Sequence, residues 1–72
     1  MACTTTSGPD PYKPCAFPFK FRDITYKSCT TDHNDPGDTN AWCSTKTDYS
    51  DTHVKGNYGF CEQKCQSNLL GK

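Results

Sequence analysis

Aliphatic residues are scarce in this chain. Leu, Ile, Val and Phe together number eight among 72 residues (Phe17, Phe19, Phe21, Ile24, Val54, Phe60, Leu69 and Leu70), which leaves only a thin core for a chain whose small size already limits burial. No run of 18 apolar residues occurs, so no helix is expected to span a membrane. The opening "MACTTTSGPD" has neither a basic start nor an apolar stretch, so no secretory signal is legible; the expectation is a mature chain behind Met1. Excess charge is missing too, since eight Lys and Arg balance eight Asp and Glu. A chain this poor in aliphatics would be expected to stay disordered if its net charge were also high. Repeats and low-complexity segments are absent as well.

What the chain does have is cysteine: Cys3, Cys15, Cys29, Cys43, Cys61 and Cys65. An even number at wide spacing reads as a disulfide framework that stands in for a core, in a small secreted domain exposed to oxidising surroundings. Bridges that close loops of a few tens of residues each contribute roughly 3 to 4 kcal/mol in the chain-entropy account, in sum comparable with the whole stability of a domain. Zinc is the rival, because Cys29-x3-His33 and Cys61-x3-Cys65 are two short ligand pairs. Structural zinc sites favour tighter cysteine pairs, and the other cysteines would be left unexplained. His33 and His53 therefore read as plain loop residues, and no metal or other cofactor is expected. Spacing alone leaves the pairing of the cysteines open.

Charge is neutral overall but not uniform. Between Thr30 and His53 five aspartates (Asp32, Asp35, Asp38, Asp48, Asp51) stand against Lys46 alone, so the middle is acidic and the flanks basic. That layout disfavours nucleic acid, which needs a dominant basic face.

Along the chain, residues 1–14 ("MACTTTSGPDPYKP") carry three prolines and no hydrophobic period, and read as an extended arm that only Cys3 ties down. In "CAFPFKFRDITYKSC" the alternation of Phe17, Phe19 and Phe21 predicts a short strand with Pro18 at its start or edge. A turn at Arg22-Asp23 leads to a second strand through Ile24 and Tyr26. The polar stretch to Trp42 contains an Asp-Pro-Gly turn at 35–37. A third strand is expected around Ala41 to Ser44, and a fourth at "YGFC", 58–61, with Tyr58 and Phe60 on one face. The tail, 62–72, tolerates helix, is held by Cys65 and is expected to fray.

Cys15-x2-Pro18-Phe19-x-Phe21-x7-Cys29, then Trp42-Cys43-x4-Asp48-Tyr49, then Tyr58-Gly59-Phe60-Cys61 together resemble a fibronectin type II module, of the kringle-like superfamily, over residues 15–61. The resemblance implies an all-β, disulfide-rich fold of two short, roughly perpendicular two-stranded antiparallel sheets with long loops. It also implies the pairings Cys15–Cys43 and Cys29–Cys61, which leaves Cys3–Cys65 as a kringle-like clasp of the two ends. The segments between Cys29 and Trp42 and between Tyr49 and Tyr58 are longer than the family usually has, and they flank its usual ligand site.

The resemblance further implies a shallow aromatic pocket, lined here by Phe21, Trp42, Tyr49 and Tyr58, with Lys20 or Arg22 at its edge; for a choline ligand Asp48 could add charge. Collagen-like and gelatin chains suit such walls, because imino rings on an extended polyproline II backbone stack on flat aromatic faces at low ordering cost. Trp42, with its large face and single donor, is expected half exposed toward the ligand; Phe17, Phe19 and Phe60 are expected inside, and Tyr12 and Tyr26 carry no functional signal.

Other ligands fit the same reading. Choline could sit over the rings through cation–π contacts, as in seminal-plasma relatives of the family, and glycans could stack as in a small lectin. A disulfide-rich protease inhibitor is a different class, with Lys27-Ser28-Cys29 or Lys46-Thr47 as its exposed basic loop and preorganisation as the source of affinity. Catalysis is not expected, since so thin a core offers no water-excluding cleft. Calcium is not expected either: Asp32, Asn34 and Gly37 echo an EF-hand loop, yet Pro36 takes its fifth position and Cys43 stands where the closing glutamate belongs. The chain is expected to be a secreted monomer that binds and does not catalyse.

Overall fold

In a computed structural model, which describes residues 3–34, 36–63 and 65, the chain forms five short strands: β1 (Thr5–Ser7), β2 (Phe19–Phe21), β3 (Ile24–Tyr26), β4 (Trp42–Ser44) and β5 (Tyr58–Cys61). Asp35 of the Asp-Pro-Gly turn and most of the tail expected to fray, residues 64 and 66–72, lie outside the described residues. The fold is all-β, with two small antiparallel sheets, and the disulfides are Cys3–Cys65, Cys15–Cys43 and Cys29–Cys61.

β2 and β3 form a hairpin in which Phe19 faces Tyr26 and Phe21 faces Ile24. Its two loop residues, Arg22 and Asp23, have φ of +53° and +67°. This left-handed pair gives a tight loop the twist that suits two right-twisted strands. Aspartate tolerates the conformation, whereas arginine gains nothing from it and holds some strain.

The other sheet has the order β1-β5-β4, one strand more than expected, because part of the N-terminal arm joins it. Thr5 is the reason. Its backbone N–H donates to Lys13 O at 2.9 Å and its carbonyl accepts from Tyr12 N at 2.9 Å. Its hydroxyl donates to Asp10 O at 2.8 Å and accepts from Lys13 N at 3.0 Å. The arm is therefore bound by its own hydrogen bonds as well as by Cys3. Gly59 makes the approach possible: a Cβ there would stand 2.8 Å from the Thr5 side chain and 2.9 Å from Asp10 O, closer than van der Waals contact allows.

Aromatic rings and sulfur make up the core. Phe19 is wholly buried at its centre, with ring centroids 5.2 Å from Tyr26 and 5.3 Å from Trp42. Phe17, half-buried, packs alongside. Among the described residues no Ile, Leu or Val is fully buried, and Ile24 lies open to solvent. Offset and tilted ring pairs of this kind add about 0.5 to 1.5 kcal/mol each beyond their area, and the disulfides about 4 kcal/mol each in the chain-entropy account. With no large aliphatic side chain fully buried among the described residues, the core rests on those two contributions.

Candidate functional site: an aromatic cavity between the sheets

The longest polar stretch of the chain is folded by its own side chains. Thr30 and Trp42 exchange backbone hydrogen bonds of 3.0 and 2.8 Å, closing the loop between them. Inside it Asn34 Nδ2 donates to Asn40 O at 2.7 Å, Asn40 N donates to Asp38 Oδ1 at 3.0 Å, and Asp32 Oδ2 accepts from Tyr26 Oη at 2.9 Å. Burial, and then the Asp32 carboxylate, push the Tyr26 phenol above its usual pKa. The carboxylates of Asp32 and Asp38 thus serve the loop as hydrogen-bond acceptors.

Trp42 closes this arrangement. Its indole Nε1 donates to Asp32 O at 2.8 Å, and only 6% of the residue is exposed. The expectation of a half-exposed platform is corrected: the donor that would have made the indole amphipathic is used internally, so the ring can sink. What it offers outward is a floor. Phe21 stands on that floor at 5.6 Å and 88°, and Tyr58 at 5.9 Å and 77°.

Over this floor opens a cavity of about 550 Å³. From the hairpin come Phe21 and Arg22, whose guanidinium lies 5.3 Å from the Phe21 ring centroid. The loop before Trp42 contributes His33, Asn34 and Asp38; the loop before β5 contributes His53, Lys55 and Gly56; β5 contributes Tyr58 and Phe60. His33, with φ of +70°, turns its ring edge-on to Phe21 at 5.0 Å.

Of the residues the sequence points to, the fold brings Phe21, Arg22, Trp42 and Tyr58 together around this cavity. Lys20, Asp48 and Tyr49 are not in its lining. The cause is one contact between distant segments. Lys20 N donates to Asp51 O at 2.7 Å and His53 N donates to Lys20 O at 2.9 Å, so the lengthened loop is laid against β2. Asp48 becomes the keystone of the turn at its tip, accepting from Ser50 N at 2.8 Å, Ser50 Oγ at 2.8 Å and Thr52 N at 3.0 Å. Those hydrogen bonds, led by the Ser50 hydroxyl, hold its carboxyl below the usual carboxylate pKa. Tyr49 is left fully exposed.

In exchange the loop carries His53 inward. Its ring lies 5.5 Å from Phe21, 5.8 Å from Trp42 and 6.4 Å from Tyr58, and burial pushes its pKa below the ordinary histidine value. Sequence reasoning passed over His53, His33 and Lys55, since no local pattern marks them. Phe60, expected in the core, is half-buried and reaches the cavity; the period of two that aligns it with Tyr58 was the available signal. All six cysteines are in disulfides, which leaves no thiolate for zinc.

Residues 15–61 match the profile described as Fibronectin type II domain. Matrix metalloproteinase-9 of Canis lupus familiaris is 42% identical over 59 residues, which cover 82% of this chain and 8% of that protein. The 72 kDa type IV collagenase of Gallus gallus is 40% identical over 67 residues, 93% of this chain and 9% of that protein. The chain therefore spans less than a tenth of the length of either relative.

Proposed function

The chain belongs to the fibronectin type II domain family, and from that premise we propose that it is a secreted, non-catalytic binding module whose aromatic cavity takes collagen-like or gelatin chains. The observation that carries the reading is the set of rings around Trp42: Phe21 and Tyr58 stand nearly perpendicular on one floor, making walls of flat apolar faces. An extended polyproline II segment offers rigid rings at regular intervals and loses little conformational freedom on docking. The relatives agree in kind, one being named a type IV collagenase and the other a matrix metalloproteinase. What they share with this chain is a small part of each.

Three disulfides fit an extracellular place of work. Among the described residues no helix is long and apolar enough to cross a membrane.

Retention on immobilised gelatin tests the reading. Tyr58→Ala removes a wall that is only half-buried, so the domain is expected to fold and its retention to fall about tenfold or more. Wild-type retention by the folded variant, or none by the wild type, sinks the proposal. Phosphocholine, whose ammonium could sit on the same rings with its phosphate at Arg22 or Lys55, is the competitor to run in parallel. Binding to it without binding to gelatin would transfer the site to that ligand.

A further inference from the structure

We propose that His53 is the hydrogen-bond acceptor set among the rings of the cavity and that it selects, among collagen-like segments, those bearing a hydroxyl on the imino ring stacked beside it. This rests on the collagen-like ligand proposed above.

The tautomer of His53 follows from its neighbours. Nδ1 lies 2.7 Å from Ser44 Oγ, and Ser44 is wholly buried. Ser44 has one hydroxyl hydrogen. Lys46 O, 2.8 Å away, can only accept, so it takes that hydrogen. Toward His53 the hydroxyl oxygen can then only accept, and Nδ1 must carry the proton. The neutral ring is left with a bare lone pair on Nε2.

That lone pair is free. Nε2 has no hydrogen bond among the described residues, and no buried side-chain nitrogen or oxygen among them lacks a partner. With Nδ1 turned inward to Ser44, Nε2 is therefore on the accessible side of a ring that lines the cavity. Burial disfavours the charged ring, which keeps the acceptor in place at neutral pH.

The rest of the lining narrows what this acceptor can meet. Arg22 and Lys55 only donate. Asn34 spends its Nδ2 hydrogens on Asp38 O and Asn40 O and Asp38 takes Asn40 N on Oδ1, so the acceptors of these two residues belong to the loop and have no ring contact of the kind His53 makes. His53 alone combines an unused acceptor with ring contacts to Phe21, Trp42 and Tyr58 together. An imino acid has no backbone N–H, so a collagen-like chain can offer a donor on the stacked ring itself only where that ring is hydroxylated.

The test compares short single-chain peptides of Gly-Pro-Pro and Gly-Pro-hydroxyproline repeats, titrated calorimetrically against the oxidised wild type, His53→Phe and His53→Gln. The wild type is expected to favour the hydroxylated peptide about fivefold, the factor of one net hydrogen bond. His53→Phe should bind both peptides equally, and His53→Gln, whose side-chain carbonyl still accepts, should restore part of the preference. Histidine ¹⁵N shifts should report the Nδ1–H tautomer. A preference unchanged in both variants, no preference in the wild type, or an Nε2–H tautomer overturns the acceptor role while leaving collagen-like binding intact. Failure of the wild type to bind either peptide or gelatin overturns both.

Discussion

The indole N–H of Trp42 is spent on the carbonyl oxygen of Asp32, 2.8 Å away, so the only tryptophan of the chain is a fastener for the loop that precedes it as much as a wall of the cavity. Trp42→Phe keeps an aromatic ring but removes the fastener and leaves a void beside Phe19. The expected loss is about 2 to 4 kcal/mol, the range for a truncated core aromatic with one hydrogen bond removed. Urea unfolding of the oxidised protein checks it. A loss below about 0.5 kcal/mol would mean that the loop does not depend on the indole.

The Cys3–Cys65 clasp spans 62 residues, yet neither cysteine lines the cavity, whose residues all lie between Phe21 and Phe60. Replacing both cysteines by serine should lower stability by about 4 kcal/mol and leave gelatin retention at low temperature near that of the wild type. Loss of retention by a variant still folded would show that β1, which lies against β5, also shapes the cavity.

Arg22 holds a left-handed φ of +53° at the hairpin loop while its guanidinium lies over Phe21. Stability and binding are therefore expected to part there. Arg22→Asn, with a residue that tolerates this backbone, should raise stability by about 0.5 kcal/mol and weaken gelatin binding by removing a cation from the rim. Thermal unfolding and gelatin retention measured on one preparation test both signs. A variant that is less stable and binds as well reverses the assignment.

His53 gives the domain a pH response of known sign. Burial holds its folded-state pKa below the ordinary 6.5, so the unfolded chain binds its proton first. Stability should fall as pH drops from about 6.5 to the folded value, and this contribution should then level off. Arg22, Lys55 and Asp38 share the cavity lining with His53, and His33 lies across Phe21; burial is the cause of the shift. Unfolding midpoints followed from pH 7.5 to 5 should slope in the wild type and slope less in His53→Gln. Equal slopes in the two would remove His53 as the origin.

Much of this domain was legible in its sequence, because what makes it fold is written locally. The alternation of Phe17, Phe19 and Phe21, the turn at Arg22-Asp23 and the "YGFC" strand are short-range patterns, and the fold has β2 at Phe19–Phe21, with Phe17 outside it, a turn at Arg22-Asp23 and β5 at Tyr58–Cys61. The cysteine spacing with its fixed aromatics carried the family and, through it, three disulfides. Phe21, Trp42 and Tyr58 followed as residues of one cavity because strands hold them.

Tertiary structure alone decided the rest. Whether a loop side chain faces the cavity or the solvent has no period to reveal it. Here it depended on Lys20 pairing with Asp51 and His53, backbone groups far apart in the chain, and that pairing sent Tyr49 out and His53 in. Likewise the arm became a strand because Thr5 found the one residue of β5 without a Cβ, Gly59. Trp42 sank because a carbonyl ten residues earlier came within reach of its N–H. Sequence set which residues could stack, cap and crosslink; contacts between segments distant in the chain chose which of them line the cavity.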